Sequence, residues 1–123
     1  MGVLRIVDDQ ISSPTWARML AEATAQIIAQ GRGEPVDYIK EKAGLYHLAG
    51  GGSCSRYEWA RAILDMDPKK EEQVVKELLP AKTSEFPTPA MRPANTALDC
   101  SAFEKTFNLL LHSWQQTLLF TLQ

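Results

Sequence analysis

The chain has 123 residues, of which 45% are apolar and 23% are charged, and its formal net charge is −2. These proportions are typical of one globular domain and not of a disordered segment. The slight negative charge provides no basic field for nucleic acid or for an anionic membrane surface, and no apolar run is long enough to span a bilayer. Two cysteines are too few for a disulfide framework. We therefore expect a cytoplasmic protein without nucleic-acid or membrane partners.

The first half of the chain is predicted to alternate short strands with one long helix. Residues 3–7 form an apolar strand, and Ser13 and Pro14 suit the cap and first position of a helix ending near residue 30. A polar connection is predicted over residues 31–43. A second strand should cover residues 44–49 and end at the glycine run 50–52.

The second half is predicted to hold three helices and a proline-rich segment. A capping box formed by Ser55 and Glu58 begins one helix, and two further helices cover residues 101–107 and the chain end after Ser113. Residues 83–93 should be extended and largely unpaired, since proline removes a hydrogen-bond donor. The tryptophans of the helices are expected to be core residues: Trp16, Trp59 and Trp114. The whole is a small α+β unit of four or five helices and two or three short strands.

Several chemical motifs are present only in incomplete form. Tyr38 and Lys42 have the Tyr-x-x-x-Lys spacing of short-chain dehydrogenases, but they lie in the polar connection with no dinucleotide fold before them. The glycine run lacks the third glycine of a dinucleotide-binding loop. The histidines and cysteines have no spacing typical of a metal site. We therefore expect no catalytic, cofactor-binding or metal-binding residue in this chain, and Mg²⁺ is not indicated.

Two segments carry a stronger chemical signal. Residues 8–15 place polar groups between a strand and a helix, where α/β proteins bind ligands. Residues 85–93 form a proline-held ribbon that presents Arg92, and a guanidinium matches phosphate oxygens bidentately. Each segment also has an alternative interpretation. The first could serve only as a turn and a helix cap, and the arginine of the second could be a surface residue without a role.

At these segments the sequence resembles the dTDP-4-dehydrorhamnose reductase family of extended short-chain dehydrogenases. Residues 9–15 match the family's Asp-Gln-x-Gly-x-Pro-Thr stretch, with Ser12 in place of the glycine. Residues 86–90 and 92–95 are similar to the family's proline-rich signature, and residues 46–61 to its strand-loop-helix. The Ser12 replacement leaves the conformation of that turn open, because serine tolerates positive φ poorly.

The resemblance implies an α+β portion of a Rossmann-type protein. Residues 1–123 would be the C-terminal substrate-binding domain, and the N-terminal dinucleotide-binding domain would be absent from this chain. The catalytic tyrosine and lysine and the site for NADPH or NADH would belong to that absent domain, so the isolated portion should be inactive. The parent enzyme would reduce dTDP-4-dehydro-L-rhamnose to dTDP-L-rhamnose, a polysaccharide precursor.

The resemblance also implies a set of substrate-binding residues. Arg92 is the leading candidate for contact with the diphosphate, and Gln10, Ser12 and Thr15 would face the sugar or the cofactor side of the cleft. The implied partners are a dTDP-sugar, the protein's own N-terminal Rossmann domain and a second copy in a homodimer. Two alternatives stay open: the matching domain of another nucleotide-sugar reductase or epimerase, and a free-standing interaction module that self-associates.

Overall fold

The computed structural model describes residues 2–123 and shows helices packed around two small separate sheets. The strands are β1 (Val3–Val7), β2 (Ile11–Ser12), β3 (Cys54–Ser55) and β4 (Glu77–Ala81). The helices are α1 (Ala17–Gln30), α2 (Pro35–Glu41), α3 (Arg56–Met66), α4 (Ser101–Phe107) and α5 (Trp114–Thr121). Two single 3₁₀ turns cover Lys70–Glu72 and Thr83–Glu85. The predicted small α+β unit is confirmed.

The larger sheet consists of two parallel strands. β1 pairs with β4 from Val3 opposite Glu77 to Val7 opposite Ala81. β1 is confirmed, but β4 is not predicted from the sequence because Pro80 lies inside it. Proline is tolerated there since each strand has only one neighbour within the described residues, so the missing N–H falls on an unpaired side.

The smaller sheet joins the two segments that begin the helices α1 and α3. β2 and β3 are antiparallel, with Ile11 opposite Ser55 and Ser12 opposite Cys54. This pairing places the polar residues that follow β1 beside the first turn of α3.

The core is divided into two clusters of buried side chains. One contains Phe103 and Phe107 of α4 with Ala23 of α1, and the other contains Trp114 and Leu118 of α5 with Cys54 of β3. The aromatic pair of α4 has a centroid separation of 5.1 Å, within the range of favourable aromatic packing. The first cluster packs α1 against α4, and the second packs α3 and α5 against β3.

The first helix begins three residues later than predicted. The residue in the cap position is Trp16, and Ser13 is not a helix cap. The Ser13 hydroxyl instead donates to the carbonyl of Gly52 at 3.0 Å and accepts from the N–H of Leu98 at 3.3 Å. These long-range contacts hold the segment extended, so Pro14 is not the first helical residue.

The prediction for residues 31–49 is wrong in two respects. The supposed connection contains α2, which begins at Pro35 in the position where a missing N–H is harmless. The supposed strand over residues 44–49 is not a strand. There Leu45 is 90% exposed, and the ring of Tyr46 packs against Phe107 at 5.1 Å. Packing onto α4 therefore replaces strand pairing in this stretch.

The capping box before α3 and the cap at Ser113 are confirmed, but Trp114 alone of the three predicted core tryptophans is buried, and Trp16 is half-buried. The Ser55 hydroxyl accepts from the N–H of Glu58, whose carboxylate accepts from the N–H of Ser55 at 2.7 Å. Trp114 is buried at 7% exposure, as predicted. Trp59 is 41% exposed, so its prediction as a core residue is wrong. Its side chain lines a surface cavity together with Ser12, Pro14 and Thr15.

Candidate functional site

The structure brings together three of the four predicted substrate-binding residues. Gln10, Ser12 and Arg92 line one cavity of about 120 Å³, which we call the central pocket. Arg56, the first residue of α3, lines it as well. The chain thus brings its two most informative segments to one place, although they lie far apart in sequence.

The central pocket shares lining residues with two neighbouring cavities. The strand-side pocket, of about 240 Å³, shares Gln10, Arg56 and Arg92 with it and extends past Phe86. The tryptophan pocket, of about 300 Å³, shares only Ser12 and Arg56 with the central pocket. Its further lining residues are Pro14, Thr15 and Trp59. We call the three pockets together the arginine cleft, because Arg56 lines every one of them.

Asp9 and Thr83 form a hydrogen-bonded pair beside Gln10. The carboxylate of Asp9 accepts from the Thr83 hydroxyl at 2.7 Å and from the Thr83 N–H at 3.0 Å, and these bonds lower the pKa of Asp9. The Gln10 amide donates to the same Thr83 hydroxyl at 3.1 Å, and the Gln10 carbonyl accepts from the N–H of Arg56 at 3.2 Å. Gln10 is therefore fixed at both its side chain and its backbone.

The ribbon that presents Arg92 is joined to β2 at its far end. The N–H of Ile11 donates to the carbonyl of Ala94, and the N–H of Thr96 donates to the carbonyl of Ile11, both at 2.8 Å. Residues 85–93 themselves are exposed, and Met91 reaches 98% exposure. Arg92 is consequently carried on an exposed loop with a hydrogen-bonded anchor two residues away.

The cleft has an excess of unpaired positive charge. Arg5 is paired with Glu85, and Lys82 with Asp8 at 2.8 Å. Arg56 and Arg92 are exposed, and neither makes an ion pair within residues 2–123. Two guanidinium groups around one cavity repel each other unless an anion lies between them, so the central pocket is suited to a phosphate group.

Arg56 was missed by the sequence analysis, although a signal for it exists. It is the first residue of α3, where the helix dipole disfavours a cation. A positive side chain in the first turn, directly after the N-cap Ser55, therefore indicates a role other than helix stabilisation.

Thr15 has a structural position at the edge of the cleft. Its hydroxyl donates to the carbonyl of Ser13 at 2.9 Å and accepts from the N–H of Gly50 at 3.0 Å. Both hydrogen-bonding functions of the hydroxyl are thus used inside the protein. Ser12 lies in β2 and is not among the residues with positive φ, so the replacement of glycine causes no backbone strain.

The glycine run does not fit the phosphates of a cofactor. A Cβ on Gly50 would lie 2.1 Å from the carbonyl oxygen of Pro14, and one on Gly51 would lie 3.1 Å from that of His112. Gly52 has a φ of 78°, as a turn there requires. Backbone atoms fill the space beside Gly50 and Gly51, so these two glycines serve close packing, and Gly52 serves a turn.

The remaining reactive groups form no further site in the part of the chain described. No three His, Cys, Asp or Glu residues of that part are grouped so that they could hold a metal ion. Tyr38 donates its hydroxyl proton to the side chain of Gln30. Burial and the nearby carboxylate of Glu58 raise the pKa of Cys54 to about 11, which suppresses its reactivity. None of the described helices is long and apolar enough to cross a membrane.

One more cavity, of about 180 Å³, lies next to the tryptophan pocket. Trp16, Trp59 and Trp114 line it together with uncharged side chains. It contains no group that could neutralise a phosphate, so the arginine cleft is the better candidate for an anionic ligand.

The comparison with known proteins agrees with the resemblance drawn from the sequence. The family model described as the RmlD substrate binding domain matches residues 1–123. This chain belongs to that family. A relative from Salmonella typhimurium, named dTDP-4-dehydrorhamnose reductase, is 36% identical over 113 residues, which are 91% of this chain and 36% of that protein.

Solved structures of proteins with the same name share the RmlD-domain fold. The one from Clostridium acetobutylicum has a TM-score of 0.76 at 28% identity and is matched over 97% of this chain and 37% of its own. The one from Bacillus anthracis, solved in complex with NADP, has a TM-score of 0.72 at 27% identity, over 97% of this chain and 36% of its own. The chain therefore spans just over a third of the length of these relatives. These matches do not favour a free-standing interaction module.

Proposed function

We propose that this RmlD domain is the substrate-binding part of a dTDP-4-dehydrorhamnose reductase and that the arginine cleft holds the dTDP-sugar. In this proposal Arg92 contacts the diphosphate, and Gln10 and Ser12 line the path of the sugar nucleotide. Thr15 supports the wall of the cleft through its hydrogen bonds to Ser13 and Gly50.

The convergence of Arg92 with Gln10 and Ser12 around the central pocket carries this proposal. Gln10 and Ser12 belong to residues 8–15 and Arg92 to residues 85–93, two segments that lie far apart in the sequence. An unpaired guanidinium beside amide and hydroxyl groups is the combination that a phosphorylated sugar requires. The family match and the names of the relatives support the same ligand.

A dinucleotide-binding domain completes the proposed enzyme. The relatives are about two and a half times as long as this chain, and one was solved with NADP. The parallel strands β1 and β4 support the presence of a further domain, because parallel sheets are normally covered on both faces. Here Val3 is 57% exposed, Leu4 38% and Leu79 36%. The absent domain would cover these side chains, bind NADPH or NADH and supply the catalytic tyrosine and lysine.

The proposal is tested by joining this chain to its dinucleotide-binding domain and assaying the reduction of dTDP-4-dehydro-L-rhamnose. Arg92→Ala should raise KM at least about tenfold with a much smaller effect on kcat, since a charge-assisted contact contributes about 1.5–3 kcal/mol. Arg18→Ala is the matched control, because Arg18 lies on α1 and pairs with Glu22 outside the cleft. Equal KM values for the two variants would refute the assignment of Arg92, and the absence of any reduction would refute the proposed enzyme.

A further inference from the structure

We propose that Trp59 is the platform for the nucleobase and that Arg56 is a second diphosphate contact, which fixes the direction of the sugar nucleotide in the cleft. This inference rests on the proposed function. The base would lie in the tryptophan pocket, the diphosphate in the central pocket and the hexose in the strand-side pocket.

Arg56 and Trp59 are placed to act together. They stand three residues apart on α3, so their side chains lie on the same face of the helix. Both line the tryptophan pocket, and Arg56 continues into the central pocket where it meets Arg92. A ligand with an aromatic end and an adjacent double negative charge therefore finds matching groups in the same order.

Trp59 is the aromatic side chain that remains available beside the cleft. The ring of Phe86, in the strand-side pocket, already has the Arg5 guanidinium 5.9 Å from its centroid. Trp16 is engaged with Arg18 at 5.9 Å and with Phe120 at 6.0 Å. Trp59 has no aromatic or cationic partner within residues 2–123 and is 41% exposed.

The opposite end of the cleft has the chemistry of a sugar site. The strand-side pocket contains the hydroxyls of Thr83 and Thr88 and the amide of Gln10. The Thr83 and Thr88 hydroxyls already donate within the protein, to Asp9 and to the carbonyl of Ala90, so they would accept from hexose hydroxyls, as would the amide oxygen of Gln10. The tryptophan pocket offers a flat apolar surface instead. The order base, diphosphate and sugar thus runs from α3 toward β1.

The test is calorimetric titration of three ligands into the chain joined to its dinucleotide-binding domain: thymidine, dTDP and inorganic pyrophosphate. Arg56→Gln should weaken dTDP and pyrophosphate by about tenfold or more and leave thymidine unchanged. Trp59→Leu should weaken thymidine and dTDP by about fivefold or more and leave pyrophosphate unchanged. Trp59→Phe keeps a stacking surface and should restore most of the affinity.

Arg61→Gln is the matched control on the same helix. Its guanidinium lies over the ring of Tyr57 at 5.3 Å and does not line the cleft, so all three affinities should stay at the wild-type values. Losses in Arg56→Gln or Trp59→Leu no larger than in this control would overturn the inference, as would the absence of dTDP binding to the wild type. Tight, Arg56-dependent binding of dTDP without any reduction of the dehydro-sugar would retain the inference and refute only the proposed enzyme.

Discussion

The Thr15→Val variant tests whether the Thr15 hydroxyl stabilises the fold or contacts the ligand. Valine has nearly the same shape but removes the hydroxyl, which leaves the N–H of Gly50 without its acceptor. An unsatisfied buried donor costs about 1–3 kcal/mol. Gly50 is buried, but Thr15 is exposed and lets water approach, so the lower half of that range applies. We expect a loss of about 1–2 kcal/mol in the free energy of unfolding.

For a domain of this size the loss corresponds to a fall in Tm of about 4–8 °C. Thermal unfolding followed by circular dichroism measures it, with two controls. Thr15→Ser keeps the hydroxyl and should lose less, and Thr24→Val removes an exposed hydroxyl that bonds only within α1 and should stay within about 0.5 kcal/mol of the wild type. Equal Tm values for Thr15→Val and Thr24→Val would refute this reasoning.

Three further predictions concern the core, a thiol and acid stability. Trp114→Ala should reduce the free energy of unfolding in urea by about 3–5 kcal/mol, and a loss below about 1 kcal/mol would contradict the core assignment. Iodoacetamide at pH 8 should label Cys100 in the native protein and Cys54 only after unfolding. The reason is that Cys54 is buried and its pKa is raised to about 11. Equal labelling rates for the two thiols in the native protein would contradict this prediction. Hydrogen bonds from Thr83 lower the pKa of Asp9 in the folded state. The ionised Asp9 carboxylate therefore stabilises the folded protein above about pH 4, and this contribution is lost as the pH falls. The stability difference between the wild type and Asp9→Asn should therefore shrink from about pH 6 to about pH 3, and a constant difference would show that Asp9 does not act through its charge.

Local sequence signals were reliable where the responsible contacts are local. The predicted capping box at Ser55 and the predicted cap at Ser113 involve partners three residues away, and both are present. The strand β1 follows from its own apolar run. The cluster of Gln10, Ser12 and Arg92 could be anticipated because each segment carries a recognisable chemical pattern.

Predictions failed where long-range contacts decide the local structure. Ser13 has the chemistry of a helix cap, but bonds to Gly52 and Leu98 hold it elsewhere. Tyr46 lies in a segment with the composition of a strand, yet it packs on the aromatic residues of α4. Arg56 could not be assigned to the cleft because its neighbours there are brought to it by the pairing of β2 with β3.

The most direct test of the central claim is a crystal structure of this chain, joined to its dinucleotide-binding domain, with dTDP bound. The account predicts diphosphate oxygens within about 3 Å of the guanidinium nitrogens of Arg92 and Arg56. A diphosphate held by other groups, with both arginines turned to solvent, would contradict it.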